Sequence, residues 1–165
     1  MRQAIDEFNA GRFDECIRLC TQEIDESKPY AMEARNLRGS LHMLRCQYTE
    51  ALQDFKAILD DPNPSSLSSC CYQHNDELDE SDAEKTQDFN NKRLKSNTFI
   101  KMTALNLQNS KEDEAFENYS RAIQIDPTNE DIYCNRAQVY AMKNRFEESF
   151  KDFDKVLGIS CIYIH

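Results

Sequence analysis

Two stretches decide the fold: FIKMTALNLQNSKEDEAFENYSRAIQIDP, from Phe99 to Pro127, and YCNRAQVYAMKNRFEESFKDFDKVLGISC, from Tyr133 to Cys161. They superpose at an offset of 34 residues, which sets Phe99 against Tyr133, Leu105 against Val139, Ala115 against Ser149, Tyr119 against Phe153, Ala122 against Val156 and Ile125 against Ile159. Apolar and small residues recur under this offset while charges do not, as expected of a shared core pattern with divergent surfaces. Upstream the same internal spacing returns twice. RNLRGSLHMLRCQYTEALQDFKAILDDP holds Leu41, Tyr48, Ala51, Phe55 and Ile58 in step, and AIDEFNAGRFDECIRLCTQEI holds Phe13, Cys16, Cys20 and Ile24. The small-residue position falls at Cys16, Ala51, Ala115 and Ser149, so successive gaps are 35, 64 and 34 and one join carries about 30 extra residues.

In the clearest copy Tyr133, Ala137, Tyr140, Phe146, Ser149, Phe153 and Val156 mix aromatic and small residues, as do Ala115, Tyr119 and Ala122 ahead of Pro127. Small residues let two helices approach closely, aromatics fill the space between neighbouring pairs, and proline ends a helix. These repeat residues are expected in the core. The pattern resembles the tetratricopeptide repeat (TPR), a unit of about 34 residues folded as helix, turn, helix. Cys161, where proline is usual, and Arg35, where an aromatic is usual, depart from it. The resemblance implies an all-α helix-turn-helix solenoid, a right-handed superhelix of three to four repeats with one acidic loop insertion. The expected division is a partial repeat at residues 1–31, repeats at 32–65 and 96–129, an acidic disordered insertion at 66–95, and a repeat with a divergent apolar tail at 130–165.

Composition agrees with a helical chain. Three glycines and four prolines are too few for the many turns of a sandwich or barrel. Thirty acidic residues against 20 basic ones leave a net charge of −10, which argues against nucleic acid or an anionic membrane surface as main partner. No apolar run approaches the roughly 18 residues of a membrane helix, and Asp6 and Glu7 interrupt the opening where a signal peptide would be apolar. The chain alone is therefore expected to be soluble and cytoplasmic. The apolar tail GISCIYIH stands where a solenoid offers a polar cap or another repeat, so a piece of a longer array is expected.

Seven cysteines in such a chain read as reduced thiols. Cys16 and Cys20 lie one turn apart on a core face. Cys71 and His74 have ligand-like spacing, but no second pair completes a four-ligand site, so no metal and no other cofactor are expected. There is no glycine-rich phosphate loop or nucleophile motif, and His42, His74 and His165 are scattered; no catalytic residue is assigned. From Asp76 to Asp88 seven acids face the single base Lys85, a stretch too polar to offset its own ordering entropy, so Ser66 to Lys95 is expected to be a solvated loop. Ser81, followed by Asp82 and Glu84, has the context an acid-directed kinase accepts.

The run YAMEARNLRGSLHMLRCQYTEALQDFKAIL, followed by ALNLQNSKEDEAFENYSRAIQIDPTNEDIYCNRAQVYAMKNRFEESFKDFDKVL, resembles the middle repeats of the large TPR receptor of the mitochondrial outer-membrane translocase. DECIRLCTQEIDESK, Asp14 to Lys28, is similar to the opening of that family's second repeat block. The resemblance implies a receptor on the cytosolic face of the mitochondrial outer membrane, anchored outside this segment. Its partners would be carrier-type preproteins with internal targeting signals, and other translocase subunits. First helices of stacked TPRs line a concave surface, which assigns peptide binding to Asn36, Leu37, Ser40 and Met43, to Ile100, Lys101, Ala104 and Leu107, and to Asn135 and Gln138. Apolar side chains there give adaptable contact beside amides that bond a peptide. Ile100 is the expected centre, and Glu33 and Asp131 are expected to add negative charge suited to basic partners. A chaperone-tail clamp needs converging Lys and Arg, and Lys101 beside Asp131 does not supply them. A general TPR adaptor or co-chaperone scaffold shares the remaining features.

Overall fold

The computed structural model describes residues 1–26, 30–61 and 80–162. Among these the chain forms helices only: α1 (Arg2–Asn9), α2 (Phe13–Asp25), α3 (Ala31–Leu44), α4 (Tyr48–Asp60), α5 (Glu80–Gln108), α6 (Glu112–Ile125), α7 (Glu130–Met142) and α8 (Phe146–Ile162). Two compact units result, Met1–Asn91 and Lys92–His165.

Four short turns make the helix pairs. Gly11, Cys46, Ser110 and Asn144 have φ of 73, 57, 58 and 57°, each five residues ahead of the small-residue position of its copy. Beyond each of them a backbone N–H reaches five residues back: Arg12 to the Glu7 carbonyl at 2.9 Å, Gln47 to His42 at 2.8 Å, Lys111 to Asn106 at 2.9 Å and Arg145 to Tyr140 at 2.9 Å. This is the left-handed helix cap that satisfies a final-turn carbonyl. Gly11 takes the conformation without a Cβ penalty and Asn144 at reduced cost, whereas Cys46 and Ser110 each lose about 1–2 kcal/mol for the same turn.

In the first unit Ala4, Cys16, Cys20, Ile24, Ala34 and Leu41 form a buried cluster, with Phe8, Ile17, Leu19 and Leu37 packed against it. Gly39 lets α3 lie against Phe55 of α4, whose ring is fully buried. In the second unit Phe99, Leu105, Ala115, Tyr119, Ala122, Ile132, Tyr133, Ala137 and Val139 are buried. Polar contacts repeat as well. Arg38 grips Asp54 with two bonds of 2.6 and 2.9 Å and reaches Thr21 Oγ1 at 2.9 Å; Arg136 grips Asp152 with two of 2.7 Å. Both aspartates are buried, and both pairs span 16 residues. Asn129 caps α7 by accepting the Asp131 N–H at 3.1 Å, accepts from Arg93 at 3.0 Å, and donates to Ser96 Oγ at 2.8 Å and Asn97 Oδ1 at 2.7 Å. It thereby locks α5 to the turn before α7. Arg93 also lies 2.9 Å from the buried Asp126 carboxylate, close enough for attraction, although Nε and Oδ2 are not aligned as a hydrogen bond.

Two expectations are corrected. Helix α5 begins at Glu80, so residues 80–95 are helical and not loop; the remainder of the expected insertion, with Cys71 and His74, lies outside the described residues. No Gly or Pro stands between Pro64 and Pro127, acids favour a helix N-terminus, and extending a helix already anchored by Arg93 and Ser96 requires no new nucleus. The second correction concerns the core. Phe13, Phe146 and Phe153 are 37%, 54% and 40% exposed, and Tyr48, Tyr140 and Val156 are half-buried. An aromatic at these positions is buried only where a neighbouring helix covers it, and on the outer side of α8 none of the described helices does.

Candidate functional site

On α3 of the first unit Asn36, Leu37, Ser40 and Met43 are all half-buried. Leu37 leans on the buried cluster, and Ser40 Oγ donates to the Asn36 carbonyl at 2.7 Å. One turn earlier stands Glu33. Burial pushes its carboxyl up to about 7, against a backbone hydrogen bond and the pull of the N-terminal ammonium, and one carboxylate oxygen is buried without a hydrogen-bond partner. The negative charge expected from Glu33 is therefore partly lost at neutral pH, which corrects the sequence reading: a carboxylate facing protein instead of water takes up a proton.

In the second unit Ile100, Lys101 and Leu107 on α5 are half-buried and Ala104 is exposed; on α7 Asn135 is half-buried and Gln138 exposed. Asn135 Nδ2 donates to the Asp131 carbonyl at 2.7 Å. Burial pulls the Lys101 ammonium below its ordinary value. Met142 is 81% exposed. The α5 and α7 positions combine small and apolar side chains with amides and a single cation.

Asn97 shares the first-helix face, yet it is committed to Asn129. Burial raises the Cys16 thiol and pushes Cys20 up to about 12, so both stay protonated. None of the described helices is long and apolar enough to cross a membrane. The outer face of α8 escaped the sequence reading: Phe146, Phe150, Phe153 and Leu157 are exposed together. Their i, i+4, i+7, i+11 spacing was visible, but spacing alone does not tell a covered face from an open one.

The TPR repeat family model matches residues 107–157. Human mitochondrial import receptor subunit TOM70 is 25% identical over 158 residues, covering 96% of this chain and 21% of the receptor. The Hsp70-Hsp90 organizing protein of Triticum aestivum is 26% identical and covers 90% of this chain and 27% of its own length. The DnaJ homolog subfamily C member 7 homolog of Schizosaccharomyces pombe is 42% identical over 55 residues, 31% of this chain and 12% of that protein. The chain thus spans about a fifth of the length of the import-receptor relative it matches. With the repeat register, the four matching turns and these matches, the described residues have the all-α helix-turn-helix fold of tetratricopeptide repeats, and the chain resembles TOM70 at low identity.

Proposed function

We propose that this chain is part of a mitochondrial import receptor and binds preprotein segments on the faces of its first helices, at the cytosolic side of the outer membrane. The observation that carries the reading is the similarity to TOM70 along 96% of the chain, which runs through the repeats and is not confined to one of them. The α5 and α7 face supports it. Ile100 and Leu107 offer apolar contact beside Asn135 and Gln138, as a hydrophobic carrier-type segment requires.

The test is a titration of the chain with a labelled hydrophobic carrier-type segment, where micromolar affinity is expected, about −8 kcal/mol. Ile100→Asp should weaken binding at least tenfold while helicity and melting temperature stay near the parent values. Lys101→Glu should leave a basic segment bound. Parent-like binding by the Ile100 variant would refute the assignment of this face.

A second reading, a co-chaperone adaptor, is favoured by the similarity to the Hsp70-Hsp90 organizing protein. Of the ten face positions only Lys101 is cationic, poor chemistry for an acidic chaperone tail. Preference for an acidic tail peptide over the carrier segment would decide for the adaptor.

A further inference from the structure

We propose that Ser110 is a phosphorylation site for an acid-directed protein kinase, one whose basic cleft reads carboxylates that follow the hydroxyl, with ATP as the phosphoryl donor. In the sequence four hydroxyls are followed three residues later by an acid: Ser81 by Glu84, Ser110 by Asp113, Thr128 by Asp131 and Ser149 by Asp152. Spacing ranks them equally; the fold does not. Ser149 is 4% exposed, its Oγ donates to the Ala137 carbonyl at 2.9 Å, and Asp152 is buried in the grip of Arg136. Thr128 is exposed, yet its hydroxyl donates to Asp126 Oδ1 at 2.7 Å. The next residue, Asn129, is fully buried and bonded to Arg93, Ser96 and Asn97. A kinase takes its substrate as extended chain, and extending Thr128 to Asp131 would pull Asn129 out and leave buried polar groups unpaired. Ser81 is the second residue of α5, its side chain lying outside the described ones, and the experiment compares it directly.

Ser110 has none of these ties. It is the left-handed residue of the turn between α5 and α6, with φ of 58°. Every residue from Gln108 to Glu114 is exposed, and the Ser110 hydroxyl makes no hydrogen bond among the described residues. Helix α6 starts after Lys111 with no side-chain cap, and its first buried side chain is Ala115. Straightening the stretch breaks the bonds from the Ser110 N–H to the Leu107 carbonyl at 3.1 Å and from the Lys111 N–H to the Asn106 carbonyl at 2.9 Å, with the first turn of α6 and its surface ion pairs. No side chain leaves the core, so this is a low-cost local opening. Of the three acids that follow, Glu112 is held by Lys143 and Glu114 by Lys111. Asp113, the one three residues on, has no ion pair among the described residues and is open to the Lys and Arg of a kinase cleft. In the transfer a bond forms from Ser110 Oγ to the γ-phosphorus as the bond to the β-phosphate oxygen breaks. ADP leaves with that electron pair, and the hydroxyl proton passes to the kinase's base.

The experiment incubates the full 165-residue chain with a purified acid-directed kinase and γ-labelled ATP, and locates the phosphate by peptide mass spectrometry. Ser110 should be modified in the majority of chains, at least tenfold faster than Ser149 or Thr128. Ser110→Asn, which keeps the left-handed turn as Asn144 does in its own, should remove that label. Asp113→Lys should slow labelling of Ser110 at least tenfold with an unchanged circular dichroism spectrum, whereas Asp60→Lys, an equal charge change far along the chain, should not. Thr128→Ser gives that position the same hydroxyl and should still leave it at least tenfold slower than Ser110. An unmodified Ser110, label confined to Ser81, comparable labelling of position 128 in the Thr128→Ser chain, or equal effects of the two charge changes would each overturn the proposal.

Discussion

Replacing Gly39 by alanine and Gly158 by alanine makes the same chemical change in two helices of this chain, with opposite expected signs. A Cβ on Gly39 would sit 2.7 Å from Phe55 Cε1 and 3.2 Å from both Cδ1 and Cζ, while one on Gly158 meets nothing within 4 Å. Removing a helical glycine alone stabilises by roughly 0.5–1 kcal/mol. At Gly158 that is the whole effect. At Gly39 it is opposed by overpacking, about 1–3 kcal/mol, because the Phe55 ring is fully buried and has no free space to enter. The equivalent position on α7 is Ala137, and there the facing Phe153 is 40% exposed; a ring at the surface tolerates a methyl that a ring in the core does not. Gly39→Ala should therefore cost about 1–2 kcal/mol net, and Gly158→Ala should gain about 0.5–1 kcal/mol. At about 2–4 °C per kcal/mol for a chain of this size, thermal melts followed by circular dichroism resolve both. Adding Phe55→Leu to Gly39→Ala should cost less than the two changes summed. The reasoning fails if Gly39→Ala raises the melting temperature as Gly158→Ala does.

Asn118 occupies the place that Asp152 and Asp54 hold in their copies, with Met102 where the arginine would be, and its Nδ2 is buried without a partner. Asn118→Asp alone should cost about 1–3 kcal/mol in urea unfolding, and Met102→Arg in the same chain should recover at least half. Glu33, raised from 4.5 to about 7, binds a proton more readily folded than unfolded, so the stability of the first unit should be greatest below about pH 4.5 as far as this group is concerned and fall as pH rises to about 7. Glu33→Gln should flatten that slope and, allowing for partial solvent screening, stabilise by about 1 kcal/mol at pH 8, as read from melts across the pH range. Among the described cysteines a brief native pulse of iodoacetamide should label the exposed Cys46 and spare Cys16 and Cys20, whose thiols are held protonated, as checked by peptide mass spectrometry.

The helix pairs and their turns were legible because both rest on strict spacing. The small residues at Cys16, Ala51, Ala115 and Ser149 and the left-handed residues at Gly11, Cys46, Ser110 and Asn144 share one set of gaps, so finding the first set locates the second. Residue type hid two of the turns, since cysteine and serine do not announce the conformation that glycine and asparagine do. The helical character of residues 80–95 was hidden for a different reason. Local composition weighs a segment by what it can bury alone, and α5 continues through this stretch because Arg93 and Ser96 are held from outside it.

Charges were the least legible, and the two buried clamps show why. Arg38 with Asp54 and Arg136 with Asp152 are equivalent contacts, but they occur in the second and fourth copies. Comparing the third copy with the fourth sets Met102 against Arg136 and Asn118 against Asp152, and the recurrence vanishes. The candidate site suffers from the same limit. Spacing assigns a residue to a helix face, yet Leu37, Asn97 and Glu33, one face by register, are respectively a core contact, a partner of the Asn129 cap and a carboxyl driven toward neutrality. Each outcome is decided by a helix many residues away, which fixes how much water the side chain keeps. A face read from spacing is therefore an upper bound on the groups a ligand meets, and Ile100, Ala104 and Gln138, for which neither a core nor a capping role is seen, remain its strongest members.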